Sequence, residues 1–196
     1  MYCILVSGLP ASGKSTAAKL ISEKFGIPCF SKDSIKECLF DTIGFSCRAE
    51  KNKLNLAATE TLYYIAEQFM KNKLPFVLEN NFETKTSRGI IDLVDRYCYR
   101  AISVALTGDY KKIYERFCER QHSPYRHRGH VVNDCYPEVD GKREVPPMSF
   151  EYFVGFAADR GMDSFRVNGE NIVVDTTDIQ NVDWNGLFEK IKLLVT

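Results

Sequence analysis

The sequence predicts an α/β fold: a mostly parallel five-stranded sheet, covered by helices on both faces to give three layers. Three observations predict it. Short apolar, β-rich runs alternate with segments of helical periodicity along the chain. The first run passes directly into a glycine-rich loop and then a helical segment, the order of a parallel βα unit. At 196 residues, 44% hydrophobic and 27% charged, the chain has the size and make-up of one well-buried domain, 1–196.

Each element has its own signal. "YCILVS" (Tyr2–Ser7) reads as a buried strand ending at glycine. After the loop, Ala17, Leu20 and Ile21 share a helical face until Gly26 and Pro28 stop it. "IPCF" (Ile27–Phe30) is a short second strand, followed by a helix beginning "SIKE". Between Arg48 and Met70, Leu54, Ala58, Leu62, Ala66 and Phe69 recur at helical spacing. "LPFVLEN" (Leu74–Asn80) is a strand, Ser87–Cys98 a helix, and "AISVALTG" (Ala101–Gly108) a strand. Asp109–Gln121 is a helix with Asp109 as N-cap. Residues 122–147, rich in Pro, Gly, His and Arg, break the rhythm as a lid or inserted segment. A helix near Ser149–Arg160, a last strand (Asn171–Thr177) and a closing helix (Trp184–Val195) restore it.

Bulk charge excludes little but directs the reading. Lys plus Arg balances Asp plus Glu at 26 each, so no global field draws the chain to nucleic acid or lipid. No run is long enough for a signal-peptide core or a membrane span. The seven cysteines are scattered without a C-x-x-C, which fits reduced thiols in a cytoplasm.

"GLPASGKST" carries the strongest signal. Gly8-x-x-x-x-Gly13-Lys14-Ser15 satisfies the full phosphate-loop (Walker A) pattern, placed between a strand and a helix as it must be. The glycines let backbone N–H groups, with those of Ala11, Ser12 and Thr16, ring a β-phosphate. Lys14 bridges β- and γ-oxygens, and the Ser15 hydroxyl is placed for Mg²⁺. The expected ligands are ATP and Mg²⁺. A GTPase would need a later N-K-x-D, which is missing, and a motor a larger module. A small phosphotransferase is the favoured class.

The stretch Ile4–Glu37 resembles the opening of small P-loop kinases of the zeta-toxin, polynucleotide-kinase and chloramphenicol-phosphotransferase group, AAA-type ATP-binding kinases. Weaker agreement runs through the strand ending in Glu79 and the helix Asp109–Gln121. The resemblance implies a sheet of order 2-3-1-4-5, a catalytic base at Asp33 and lid arginines. Lys36 departs from the Arg that holds the monophosphate in nucleoside-monophosphate kinases, which argues against a nucleotide acceptor.

Asp33 follows the second strand, where open α/β sheets bind ligands, and a carboxylate there can take the acceptor's hydroxyl proton. Its alternative role is to cap the following helix, with Glu37 in the first turn. Glu79 ends a strand as a Walker-B acid does and can hold Mg²⁺ through water, although relatives more often have Asp there. Asn80, Asn81 and Arg88 either face the acceptor or decorate a solvated strand end.

Arg116 and Arg120, spaced i, i+4, and Arg126 are candidates to close over the transferring phosphoryl group. The alternative is a solvated helix face paired with Glu115 and Glu119. His122, His127, His130 and Cys135 match no compact metal knuckle, and "RHRGH" suits an acidic substrate group better than a metal. The aromatics of "MSFEYFVGF" read as core. The sequence therefore predicts an ATP- and Mg²⁺-dependent kinase acting on a hydroxyl of a small molecule. A polynucleotide or RNA 5′-hydroxyl kinase, or an ATPase module whose nucleotide orders 122–147 for a partner, are the alternatives.

Overall fold

The computed structural model describes residues 1–139 and 141–195. Asp140, inside the 122–147 segment, and Thr196, the last residue of the expected domain, lie outside the described residues. Five strands, β1 (Tyr2–Gly8), β2 (Cys29–Ser31), β3 (Phe76–Glu79), β4 (Arg100–Thr107) and β5 (Glu170–Asp175), form one sheet in the order β2-β3-β1-β4-β5. Every neighbouring pair is parallel, with β1 central: Ile4 sits opposite Val77 on one side and Ile102 on the other. The helices are α1 (Lys14–Phe25), α2 (Lys32–Ile43), α3 (Arg48–Lys71), α4 (Thr84–Arg96), α5 (Tyr110–His122), α6 (Arg128–Val131), α7 (Phe150–Asp159) and α8 (Trp184–Val195). No helix of the described residues is long and apolar enough to cross a membrane.

The two-residue period of β1 explains the layering. Ile4 and Val6 pack with Ala17 and Ile21 of α1 and Leu187 and Ile191 of α8. Cys3 and Leu5 point to the opposite face, onto Leu62 and Ala66 of α3 and Ile90 of α4. A strand buried on both faces has to be continuously apolar, which is why "YCILV" shows no alternation.

Local chemistry sets the boundaries. β2 starts two residues later than its sequence signal because Ile27 N–H donates to Ser22 O in the cap of α1, and Pro28 has no N–H. β3 begins at Phe76 because Lys73 turns the chain with φ 54°. α4 starts at Thr84, three residues before the predicted start, and stops at Arg96 ahead of left-handed Cys98 (φ 51°). Asp109 caps α5, accepting from the N–H groups of Lys111 and Lys112 at 2.8 and 3.0 Å.

α2 begins at Lys32, so Ser31 holds the cap position and Asp33 lies inside the first turn. The capping role offered for Asp33 is thereby corrected.

Gly8 is the tightest backbone position. Its φ is +140°, and a Cβ there would sit 2.4 Å from the carbonyl oxygen of Leu106, which the sheet holds in place. Gly8→Ala is expected to lower the urea unfolding free energy by about 2–4 kcal/mol, through clash and strain together.

Candidate active site: a phosphate loop facing a cationic cavity

The loop between β1 and α1 folds on itself, with Ser12 N–H donating to Leu9 O at 3.1 Å and left-handed Gly13 (φ 93°) opening α1. Lys14 is buried, and its Nζ donates to Leu9 O at 2.7 Å. Burial pushes the Lys14 ammonium down to about 8, with Arg120 and Lys32 adding to the fall and the carboxylates of Glu79 and Asp33 opposing it. Ser15 and Thr16, at the start of α1, are exposed. The buried Ser12 Oγ has no hydrogen-bond partner among the described residues.

The loop opens onto a cavity of about 770 Å³, lined among others by Lys14, Ser15, Asp33, Glu79, Arg120 and Arg126. Parallel topology brings them together, because the carboxyl ends of β1, β2 and β3 all point here.

Asp33 forms an ion pair with Lys36 at 3.0 Å. Burial alone would raise its carboxyl, but Lys36, His130 and Lys32 outweigh that and hold it well below the usual carboxylate range. Glu79 is buried at the end of β3 and accepts from the Ser31 hydroxyl.

The three candidate arginines divide. Arg116 buttresses the loop, its Nε donating to Ala11 O at 3.3 Å and its Nη1 to Thr177 O at 3.1 Å. Its Nη2 is buried without a partner among the described residues. The side chains of Arg120 and Arg126 line the cavity and make no hydrogen bond or ion pair among the described residues. Neither Arg116 nor Arg120 pairs with Glu115 or Glu119; Lys112 takes Glu115 instead.

Two predicted residues lie away from the cavity. Arg88 is 78% exposed and bound to Asp92 at 2.7 Å, on the outer face of α4. Its side chain lies on the solvent face of α4, paired i, i+4 with Asp92. Asn80 is buried behind the strand end, its Oδ1 accepting from Asn81 N–H, and it is Asn81 that lines the cavity.

The histidines serve the protein's own carboxylates. His127 bonds Asp41 at 3.0 Å, His130 bonds Glu37 at 2.8 Å, and both carboxylates lie on α2. Arg128 grips Glu138 with two nitrogens, and His122 bonds Cys118 O. Within "RHRGH", His127, Arg128 and His130 are matched to the protein's own carboxylates, which corrects the acidic-substrate reading for those three, while Arg126 lines the cavity with no such partner among the described residues. Together with a backbone bridge between Phe45 and Tyr136, these bonds dock residues 127–138 against α2 and the turn after it.

Sequence reasoning missed several lining residues. Lys32 and Lys51 are buried lysines of α2 and α3, and Glu83 holds Arg160 at 3.1 Å. The "MSFEYFVGF" stretch splits: Phe153 is core, while its edge and the more open Tyr152 and Phe156 wall the cavity, with the Arg160 guanidinium 4.2 Å over the Phe156 ring. The mixed spacing of that stretch was the available signal.

Comparison with known proteins matches the arrangement to one family and one fold. The AAA domain family model matches residues 3–134. No curated protein matches the chain significantly in sequence. Among solved structures, a candidate kinase from Chloroflexus aurantiacus J-10-fl superposes with a TM-score of 0.79 at 23% identity, over 98% of this chain and 97% of that one. Shikimate kinase from Bacteroides thetaiotaomicron gives 0.54 at 12% identity, over 99% and 98%. A gluconokinase from Sinorhizobium meliloti 1021 gives 0.54 at 14% identity, over 100% and 98%. At these identities the likeness is one of fold.

Proposed function

This chain belongs to the AAA domain family, and from that premise we propose that it is an ATP- and Mg²⁺-dependent phosphotransferase moving the γ-phosphate to a hydroxyl of a small-molecule acceptor. One observation carries the reading: a complete phosphate loop shares one cavity with an ionised carboxylate at the end of β2 and two guanidiniums without partners among the described residues. The structural neighbours named as kinases agree with it. Within the family, the resemblance of Ile4–Glu37 supports a place in the zeta-toxin, polynucleotide-kinase and chloramphenicol-phosphotransferase group. We read the chain as a single cytoplasmic unit whose 122–147 segment is the lid.

The residues present fit the nucleotide and the metal. Orphaned polar atoms at Ser12 Oγ and Arg116 Nη2 sit beside the loop, and Lys14 is held by a single carbonyl that it can release. Ser15, with Glu79 behind it, would hold Mg²⁺, which neutralises charge on the β- and γ-oxygens. Asp33 receives the acceptor's hydroxyl proton as the new O–P bond forms and the bond from the γ-phosphorus to the bridging oxygen breaks, leaving ADP. Lys14 and Arg120 face the charge spread over the equatorial oxygens.

Proton uptake tests the role of Lys14. Free Lys14 loses its proton as pH rises through about 8, whereas a bound triphosphate keeps it protonated to higher pH. ATP affinity should hold below pH 7 and fall above 8, by up to about tenfold per pH unit. Calorimetry in two buffers should report uptake of roughly 0.7 proton at pH 8.5 and close to none at pH 6.5.

The function itself is tested by transfer of labelled γ-phosphate to a metabolite extract and to a 5′-hydroxyl oligonucleotide, beside Asp33→Ala. A labelled small molecule that vanishes with the variant supports the proposal. Label on the oligonucleotide moves the chain to nucleic-acid kinases, and slow phosphate release equal in both proteins overturns the transferase reading.

A further inference from the structure

We propose that the cavity holds a second anion subsite, centred on Lys32, which takes a carboxylate or phosphate group carried by the acceptor itself. The proposal rests on the kinase reading above and names the class of acceptor: a hydroxylated anion.

Charge balance is the first argument. Of the described residues lining the cavity, nine are Lys or Arg and three are Asp or Glu, an excess of six positive charges. The chain as a whole is balanced at 26 and 26, so the excess is focused here. ATP with one Mg²⁺ brings only about two negative charges. Several cations therefore remain after the nucleotide side is complete. Two are already paired, Lys36 with Asp33 and Arg160 with Glu83.

Lys32 supplies the second argument. It is 6% exposed, yet its ammonium makes no hydrogen bond or ion pair among the described residues while its side chain lines the cavity. Lys51 is the instructive contrast. It is nearly as deep, but its Nζ donates to Val132 O and to Asn133 Oδ1, which makes it a staple between α3 and the 122–147 segment. A lysine buried without such partners is costly to keep charged unless an anion completes it. Burial, with Lys36 nearby, lowers the Lys32 ammonium in the free protein, while the carboxylates of Asp33, Glu83 and Glu79 oppose the fall.

Placement is the third argument. Lys32 and Asp33 are consecutive residues in the first turn of α2, and both reach the same cavity. Adjacent helical positions diverge by about 100°. An acceptor whose hydroxyl meets Asp33 thus has its anionic group beside Lys32, not against Asp33. Arg126 lines the cavity with a guanidinium free among the described residues and feels the Asp33 carboxylate. It is the second cation within this field.

The test uses the whole chain with β,γ-imido-ATP and Mg²⁺ occupying the phosphate loop, so that added anions cannot report on the γ-phosphate position. Inorganic phosphate and malonate are titrated separately, to distinguish a phosphate from a carboxylate group. The expected result is binding of one of them to the wild type. Lys32→Gln should weaken it at least tenfold and Lys32→Arg should retain it, with imido-ATP affinity unchanged within twofold in both variants. Imido-ATP bound normally with neither anion bound, or anion binding equal in Lys32→Gln, overturns the subsite and leaves the kinase reading standing. Failure of imido-ATP to bind the wild type takes both down. In a transfer screen, sugar phosphates or sugar acids should be labelled and neutral sugars not. Neutral sugars labelled equally by wild type and Lys32→Gln would overturn the proposal.

Discussion

Lys14→Ala is expected to lower ATP affinity by a factor of about 10²–10⁴ and to remove measurable phosphoryl transfer, with the fold retained. The magnitude follows from the hydrogen bonds that the ammonium would make to the nucleotide under the proposed function. Bridging the β- and γ-oxygens, it would make two that are charge-assisted, each worth about 1.5–3 kcal/mol. In the free protein the same ammonium satisfies only Leu9 O. Truncation leaves that carbonyl short of one partner but also removes a charge buried against its preference, so the two stability effects oppose each other. Lys14→Arg is expected to fail as well, because a planar fork does not fit a loop shaped around a point charge. Fluorescent-nucleotide titration and thermal melting on the same samples separate binding from folding. Normal nucleotide affinity in Lys14→Ala would show that the loop is not the nucleotide site.

The phosphate loop was legible in the sequence because its information is local. Glycines at fixed spacing, one lysine and one hydroxyl say what the backbone must do, and Gly8 at φ +140° and Gly13 at φ +93° do it. The inner strands β1, β3 and β4 were legible for a similar reason, since strands buried on both faces read as nearly continuous apolar runs, whereas the edge strands β2 and β5 are only partly buried. What the sequence hid is set by residues far apart in the chain. His127 and His130 find Asp41 and Glu37 across 86 and 93 positions, so an apparently free basic loop is tied down. Arg88 looked like a site residue, but it lies on the solvent face of α4 and pairs with Asp92. Lys32 and Lys51 gave no signal, because burial of a lysine follows from tertiary placement and not from its neighbours in sequence. Asp33 could be read as a cap only while the start of α2 was open. With Ser31 at the cap position, its carboxylate pairs with Lys36 and lines the cavity instead.

Asp33→Asn is expected to leave ATP affinity within about threefold of wild type and to lower kcat by about 10²–10⁴, the range for a lost general base. Asparagine keeps the shape and removes the charge, so the loss reports the proton acceptor and not the packing. The direction of the Asp33 shift sharpens this. Burial would raise the carboxyl, but Lys36, His130 and Lys32 together hold it well below the usual range, so it is ionised between pH 5 and 8. Its protonation therefore cannot produce an ascending limb in the kcat–pH profile between pH 5 and 8. A group so acidic is a weak base toward a free alcohol. It becomes an effective acceptor only when the O–P bond is largely formed and the hydroxyl has turned acidic, as a loose, late proton transfer requires. A profile that rises tenfold per pH unit from 5 to 7 in wild type and flattens in Asp33→Asn would contradict this account, and so would unchanged kcat in the variant. Lys36 sets much of the balance: Lys36→Met removes the nearest cation, at 3.0 Å, so the carboxyl should titrate closer to the ordinary carboxylate range, read as a shift of its NMR titration to higher pH than in wild type.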